Sequence, residues 1–242
     1  MKRVERQHLK ENELQTLARQ ARERFEARRR ETTTAVTLIV AVGVVALVFF
    51  GWRERVQAKA HALLAEALVV QDARVGPPPA PGTTPDTGLR FNSERERAQA
   101  ALTKFKVAAD AYPSTDAGLY ARYQQGATYM TLGNPAQAAA TYQQVADKAG
   151  ESIYGQMARL GLAEAQATQG QYDQAINTFK ELAQRKDGPL PVDGILMQLG
   201  RVYLEAGKRT DAQQTFNRLV DEFPDSPFTG DARRELDNLK KT

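Results

Sequence analysis

The sequence predicts an all-α protein: an N-terminal single transmembrane helix followed by an α-solenoid of stacked helical hairpins. Two observations carry that expectation. The first is Ala35 to Trp52, 18 residues without a charge, with Arg30 and Glu31 before it and Arg53 after it. The second is an internal period of 37 residues, kept by Gly133, Gly170 and Gly207 and by Ala101, Ala138, Ala175 and Ala212. The aromatics Phe105, Tyr142, Phe179 and Phe216 keep the same interval, and Gly126, Ala163 and Gly200 run in step with them. Aromatic residues make up only 7% of the chain, so several series in register mark a true repeat.

At about 1.5 Å per residue the apolar stretch covers roughly 27 Å, close to the hydrocarbon thickness of a bilayer. Eleven of its residues are Val, Leu, Ile or Phe, which outweigh Thr37 and two glycines on an insertion scale. A buried helix of a soluble protein would carry a polar stripe, and this one has none. The span is therefore assigned to residues 32–52, with Trp52 at an interface. A cleaved signal peptide fits less well. Its apolar core would be shorter and its lead briefer than the 34 residues found here. Ala58-Lys59-Ala60 imitates a cleavage site, but Arg53, Glu54 and Arg55 separate it from the apolar core.

Flanking cations set the expected orientation. Arg19, Arg22, Arg24, Arg28, Arg29 and Arg30 precede the span, against Arg53, Arg55 and Lys59 after it. The positive-inside rule then puts residues 1–31 in the cytoplasm and the large C-terminal part across the membrane. Charge is divided in the same way. Residues 1–31 hold ten Lys/Arg and six Asp/Glu, whereas residues 53–242 hold 23 of each sign. The basic character belongs to the tail, and the translocated part offers no electrostatic case for nucleic acid. The chain has no cysteine, which excludes disulfides, thiolate metal sites and a lipid anchor on cysteine.

Residues 9–29 of the tail read as a helix with Leu14, Leu17, Ala18, Ala21 and Phe25 on one face and arginines on the other. After the span, residues 53–75 read as a juxtamembrane helix rich in alanine and leucine. Residues 76–92 form a loop, since five prolines and three glycines between Gly76 and Gly88 exclude a helix or a central strand. Helix resumes after Ser93, which forms a capping box with Glu96.

Residues 93–242 hold the repeats, expected at about 93–115, 116–151, 152–190 and 191–225, with a polar capping helix at 226–242. Each unit reads as two helices and a turn. In the clearest, Leu196-x-x-Leu199-Gly200-x-x-Tyr203 forms a first helix ending at Gly207, where a left-handed cap suits glycine. Thr210 with Gln213 is expected to open the second helix, which carries Ala212 and Phe216 and closes at Pro224. Gly200 and Ala212 allow the helices to approach, and Leu199, Tyr203 and Phe216 fill the space around them. The first hairpin is incomplete, so its first helix must come from residues 53–74.

Leu196 to Pro224 matches the tetratricopeptide pattern W-x2-L-G-x2-Y, A-x3-F, P, with Leu196 in place of Trp; this stretch resembles tetratricopeptide repeats. The earlier units match more loosely, through Gln125, Gly126, Tyr129, Ala138 and Tyr142, and through Leu162, Ala163, Ala175 and Phe179. In that family the first helices line a groove. The resemblance places Tyr120, Tyr123, Met130, Met157, Leu160, Met197, Arg201 and Leu204 on or near it. Such a groove accepts an extended peptide or an amphipathic helix.

Catalytic material is scarce. The two histidines, His8 and His61, fall on opposite sides of the span, and no H-E-x-x-H, G-x-S-x-G or glycine-rich phosphate loop occurs. Acid pairs such as Glu164 and Glu205 read as surface charges. No enzyme, metal or cofactor is expected. The whole layout resembles the YfgM-like family of bacterial inner-membrane proteins. That resemblance implies association with the SecYEG translocon and contact with secreted clients and periplasmic chaperones. The segment Phe223-Pro224-Asp225-Ser226-Pro227 with its following helix is also similar to repeats of outer-membrane assembly and Tol–Pal proteins, which implies an envelope-assembly scaffold instead.

Overall fold

The computed structural model describes the backbone of residues 3–77, 88–185 and 188–241. The apolar face expected at Leu14, Leu17, Ala18, Ala21 and Phe25 and the central prolines of the loop lie outside the described residues. The chain divides into two compact units, Met1–Arg55 and Val56–Thr242. Helix α1 (Arg3–Gln71) runs through the first and supplies its last turns to the second.

In the first unit the backbone is helical from Arg3 onward. Between Thr33 and Gln71 an 18-residue stretch reaches a mean hydropathy of 2.6, and none of it is buried within the protein. Val36, Ile39, Val45, Leu47, Phe50 and Trp52 are all exposed. This helix is long and apolar enough to cross a membrane.

The second unit is built of helical hairpins. Residues 56–71 of α1 pack with α2 (Glu94–Ala111), and then α3 (Asp116–Thr131) with α4 (Pro135–Ala149). Next come α5 (Ile153–Thr168) with α6 (Tyr172–Ala183) and α7 (Val192–Glu205) with α8 (Arg209–Glu222), closed by α9 (Thr229–Lys241). The incomplete first hairpin does take its first helix from beyond the span. Ala60, Leu64, Ala67 and Val70 form one core with Ala101, Phe105, Ala108 and Ala121, and Lys104 of α2 pairs with Glu66 at 3.1 Å.

Helix α1 stops at Gln71 rather than continuing to residue 75. The residue before a proline avoids helical geometry, and Gly76 with a φ of 131° leads directly into Pro77. The freed backbone finds partners across the loop. Two-residue strands β1 (Arg74–Val75) and β2 (Arg90–Phe91) pair in parallel, Arg74 opposite Arg90 and Val75 opposite Phe91. The ends of the proline-rich segment are thereby tied together, and residues 90–91 belong to a strand rather than a loop.

The turn inside each full hairpin is the same. Gly133, Gly170 and Gly207 have φ of 76°, 75° and 73°, a region closed to most side chains. At the last, Gly207 N donates to Leu204 O at 3.0 Å and Lys208 N to Tyr203 O at 2.8 Å, the Schellman pair of bonds. That turn delivers the chain straight into α8 at Arg209. The cap expected from Thr210 and Gln213 therefore does not form: the N-cap is Lys208, with no side-chain bond. Ser93 does cap α2, its Oγ accepting from Glu96 N at 3.2 Å, while the Glu96 carboxylate reaches back to Asn92 N at 3.0 Å.

The periodic residues are the core. Ala138, Ala163, Ala175 and Ala212 and the rings of Phe105, Phe179 and Phe216 have no exposed surface, and Tyr142 almost none. A Cβ on Gly200 would lie 2.3 Å from Phe216 Cε1, so the glycine is what admits the ring. Tyr142 is held on two sides, since a Cβ on Gly126 would meet its Cε1 at 2.7 Å and one on Gly161 its Cζ at 2.6 Å.

Candidate functional site

The first helices of the hairpins carry the candidate site. Helix α3 touches α5 as well as its own partner α4. On α3, Tyr120, Tyr123 and Met130 follow at helical steps; on α5, Tyr154, Met157, Gly161 and Glu164 do the same. These two stripes meet. The rings of Tyr120 and Tyr123 stack at 6.2 Å, Tyr120 lies 6.1 Å from Tyr154, and Tyr123 lies 5.5 Å from Tyr142 of α4. Offset ring pairs at such distances attract beyond their area of contact. Three of the four rings (Tyr120, Tyr123 and Tyr154) are half-buried rather than fully enclosed.

Polar groups extend the cluster at both ends. Gln124 Nε2 donates to the Tyr120 hydroxyl at 3.1 Å and lies 3.4 Å from Gln71 Oε1, which joins the end of α1 to the same face. At the other end stands Glu164, one helical turn beyond the Gly161 that touches the phenol end of Tyr142. Burial pushes the Glu164 carboxyl above its ordinary range. Among the described residues no cation pairs with it. The Tyr123 hydroxyl is raised by burial, then by the Glu164 charge and by Tyr120. That of Tyr142 is raised by burial, then by Tyr123 and Glu164.

The eight residues expected on the groove separate into two groups. Tyr120 and Tyr123 sit at the centre of the cluster, and Met130 packs, half-buried, against the core of α4 and α5. Met157 is half-buried on the α5 stripe. Leu160 and Leu204 pack against the C-terminal core, and Met197 is inside it, only 1% exposed. Met197 is thus a correction. Its counterparts one and two repeats earlier, Leu160 and Tyr123, are half-buried, but α7 lies where residues of α5, α6, α8 and α9 join one core and leave no open side at that position. Arg201 is exposed and reaches toward Asp231 of α9, 3.8 Å away.

Sequence reasoning missed Tyr154 and misplaced Glu164. Glu205 is exposed as a surface charge should be, but Glu164 is half-buried among aromatic rings, and Glu205 plays no part in raising its pKa. The repeat itself held the signal, because Glu164 occupies the position that Arg201 takes 37 residues later.

Two other features frame the site. Glu151, at the α4–α5 turn, pairs with Arg159 at 2.9 Å and with Arg185, and those two bonds, Arg185 foremost, hold its carboxyl below the usual range. A cavity of about 700 Å³ lies near the start of α7, lined by Gly188 to Asp193 with Glu222 and Phe223. Among the described residues no group of three or more His, Asp or Glu side chains is gathered as a metal site would require.

Comparison with known proteins decides the family. The family model described as a tetratricopeptide repeat-like domain matches residues 29–240. The chain belongs to that tetratricopeptide repeat-like family. Its solved likenesses are distant in sequence. The nearly identical TPR-like repeats of a candidate kinesin light chain from Podosopora anserina match at 13% identity and a TM-score of 0.58, over 76% of this chain and 87% of that one. A single-substitution form of those repeats gives 14% identity at the same TM-score, over 76% of this chain and 86% of that one. A tetratricopeptide repeat protein from Parabacteroides merdae matches at 14% identity and a TM-score of 0.49, over 60% of this chain and 54% of that one. Identities this low speak for the fold alone. No curated protein gives a significant match. A tetratricopeptide fold is an interaction scaffold, and its function is to be sought on the faces its helices present.

Proposed function

We propose that this protein is a membrane-anchored adaptor that binds other proteins through the face formed by the end of α1, α3 and α5. The observation that carries the proposal is the Tyr120–Tyr123–Tyr154 cluster. Three half-buried rings converge there from two successive hairpins, in a fold whose core already holds its own aromatics. Tyrosine supplies large contact area with few rotatable bonds, so a partner is held at low entropic cost.

The exposed apolar helix supports an anchor, and the arginine bias before it favours a cytoplasmic tail with the repeats in the periplasm. Tethering raises the local concentration of the repeats beside membrane partners, so a weak groove suffices. The YfgM-like layout makes translocon subunits, secreted clients and periplasmic chaperones the first partners to test. In-cell photocrosslinking from a probe at Tyr123 or Tyr154 tests this; a probe at buried Met197 would report only on the core. Capture of translocon subunits or secretory clients is the expected result. Recovery of only outer-membrane or peptidoglycan factors would favour the envelope-assembly scaffold, and crosslinks confined to cytosolic proteins would refute the orientation.

A further inference from the structure

The proposed groove contains one group that packing does not require. Glu164 lies on the inner stripe of α5, three residues after Gly161, whose Cα abuts the Tyr142 ring tip. Positions 127, 164 and 201 are equivalent through the 37-residue period and hold alanine, glutamate and arginine. A neutral side chain therefore satisfies the fold at this place. Four other acids reach cations on another element or across a turn: Glu66 with Lys104, Asp110 with Arg122, Glu151 with Arg159 and Asp173 with Lys208. Glu164 has no such partner among the described residues, although it is half-buried one helical turn from the Gly161 that abuts Tyr142. An ionised carboxylate in that setting carries an unmet demand for positive charge.

The aromatic neighbours make the demand specific. Ring faces attract cations through their quadrupole, and a carboxylate adds a directed, charge-assisted hydrogen bond. We propose that Glu164, with Tyr123, receives a lysine or arginine side chain of the bound partner polypeptide. This rests on the groove reading above and adds the chemistry of its occupant. The apolar rims at Met157 and Leu160 suit a basic residue flanked by apolar ones, whose methylene stem lies along them while its charged head meets the carboxylate.

The test uses the full-length protein in detergent micelles and four pools of fluorescent nonapeptides, read by anisotropy. The central residue is lysine, arginine, norleucine or glutamate, and the flanks are randomised among Ala, Leu, Phe and Ser. The lysine and arginine pools should bind about tenfold or more tightly than the norleucine and glutamate pools, given a charge-assisted bond plus a cation–π contact. Glu164→Gln should bring the basic pools down to the norleucine level, and Glu205→Gln, an exposed control on α7, should leave the preference intact. Equal binding of the lysine, arginine and norleucine pools, or a preference that survives Glu164→Gln, overturns the inference. If Tyr154→Leu then weakens every pool, the groove reading stands without it. Failure of every pool to bind overturns both.

Discussion

Replacing Gly200 by alanine isolates the close approach on which each hairpin depends. The new methyl would lie 2.3, 2.6 and 2.8 Å from Cε1, Cζ and Cδ1 of Phe216. Carbon pairs rest at about 3.5–4.0 Å, so the ring must retreat by more than about 1 Å. Phe216 has no exposed surface and shares its core with Ala212, Leu219 and Tyr203, so it has nowhere to go. Overpacking of this kind costs about 1–3 kcal/mol, while removing glycine from a helix interior returns about 1 kcal/mol. With a contact this short the upper half of the range applies, and the net loss should be about 1–2 kcal/mol. Urea unfolding of the full chain in micelles, followed by circular dichroism at 222 nm, measures it, with an unchanged m-value as the check on cooperativity. Gly230→Ala is the control, because nothing lies within 4 Å of a methyl there. Phe216→Leu supplies the second leg of a cycle: the smaller side chain should accept the methyl, giving a coupling energy of at least about 1 kcal/mol. If Gly200→Ala behaves like Gly230→Ala, or if Phe216→Leu fails to reduce its penalty, the packing argument is wrong.

Gly161→Ala should act on the site as well as on stability. Its methyl would meet the Tyr142 ring at 2.6 Å, so about 1–2 kcal/mol should be lost after the gain in helix propensity, and tyrosine ring resonances of the cluster should shift in NMR spectra. Glu151 is held ionised by Arg185 and Arg159, so its contribution is fully present above the ordinary carboxylate range and is lost as pH falls through its lowered folded value. Wild-type and Glu151→Gln melting temperatures should therefore differ at pH 7 and converge once acid has protonated the folded carboxyl. Glu164 runs the other way. Its folded carboxyl titrates above the unfolded one, with Tyr123 and Tyr142 facing it, so ionisation opposes folding as pH rises. Glu164→Gln should match the wild type in acid and exceed it in melting temperature at pH 7. Because the chain lacks cysteine, single cysteines at Gln15 and Asp225 report topology cleanly. A membrane-impermeant maleimide applied to spheroplasts should label only the second.

Most of the fold was legible because its determinants are local and periodic. A glycine at φ near 75° announces itself at Gly133, Gly170 and Gly207, and the pairing of a glycine with a ring at Gly200 and Phe216 follows from spacing alone. Two local expectations failed where a neighbour intervened. Thr210 and Gln213 have the residues of a capping box, but the Schellman bonds at Gly207 start the helix two residues too early for it. The helix expected to residue 75 stops at Gln71 because its end is captured by a strand at Arg90–Phe91, a pairing across a proline-rich segment that no periodicity foretells. The site was less legible for a different reason. Whether a first-helix residue faces a groove or a core depends on what covers it, which is why Met197 is buried whereas Leu160 is only half-buried.

That contrast separates what the repeat must keep from what it leaves free. Alanine at 101, 138, 175 and 212 and an aromatic at 105, 142, 179 and 216 recur without exception, because each hairpin has the same gap to fill. The first-helix positions do not recur. Tyr120 becomes Met157 and then Gly194; Tyr123 becomes Leu160 and then Met197; Ala127 becomes Glu164 and then Arg201. The scaffolding is held constant by packing, while the inner stripe varies with what covers each helix. The tyrosines concentrate where α3 meets α5, next to the end of the helix that emerges from the apolar span, whereas the last repeat directs its arginine toward Asp231 of the capping helix. The physical division is therefore within the array: its C-terminal hairpin is closed against α9, and its N-terminal hairpins hold half-buried rings and a carboxylate with no cation beside it among the described residues, the face proposed above for a partner.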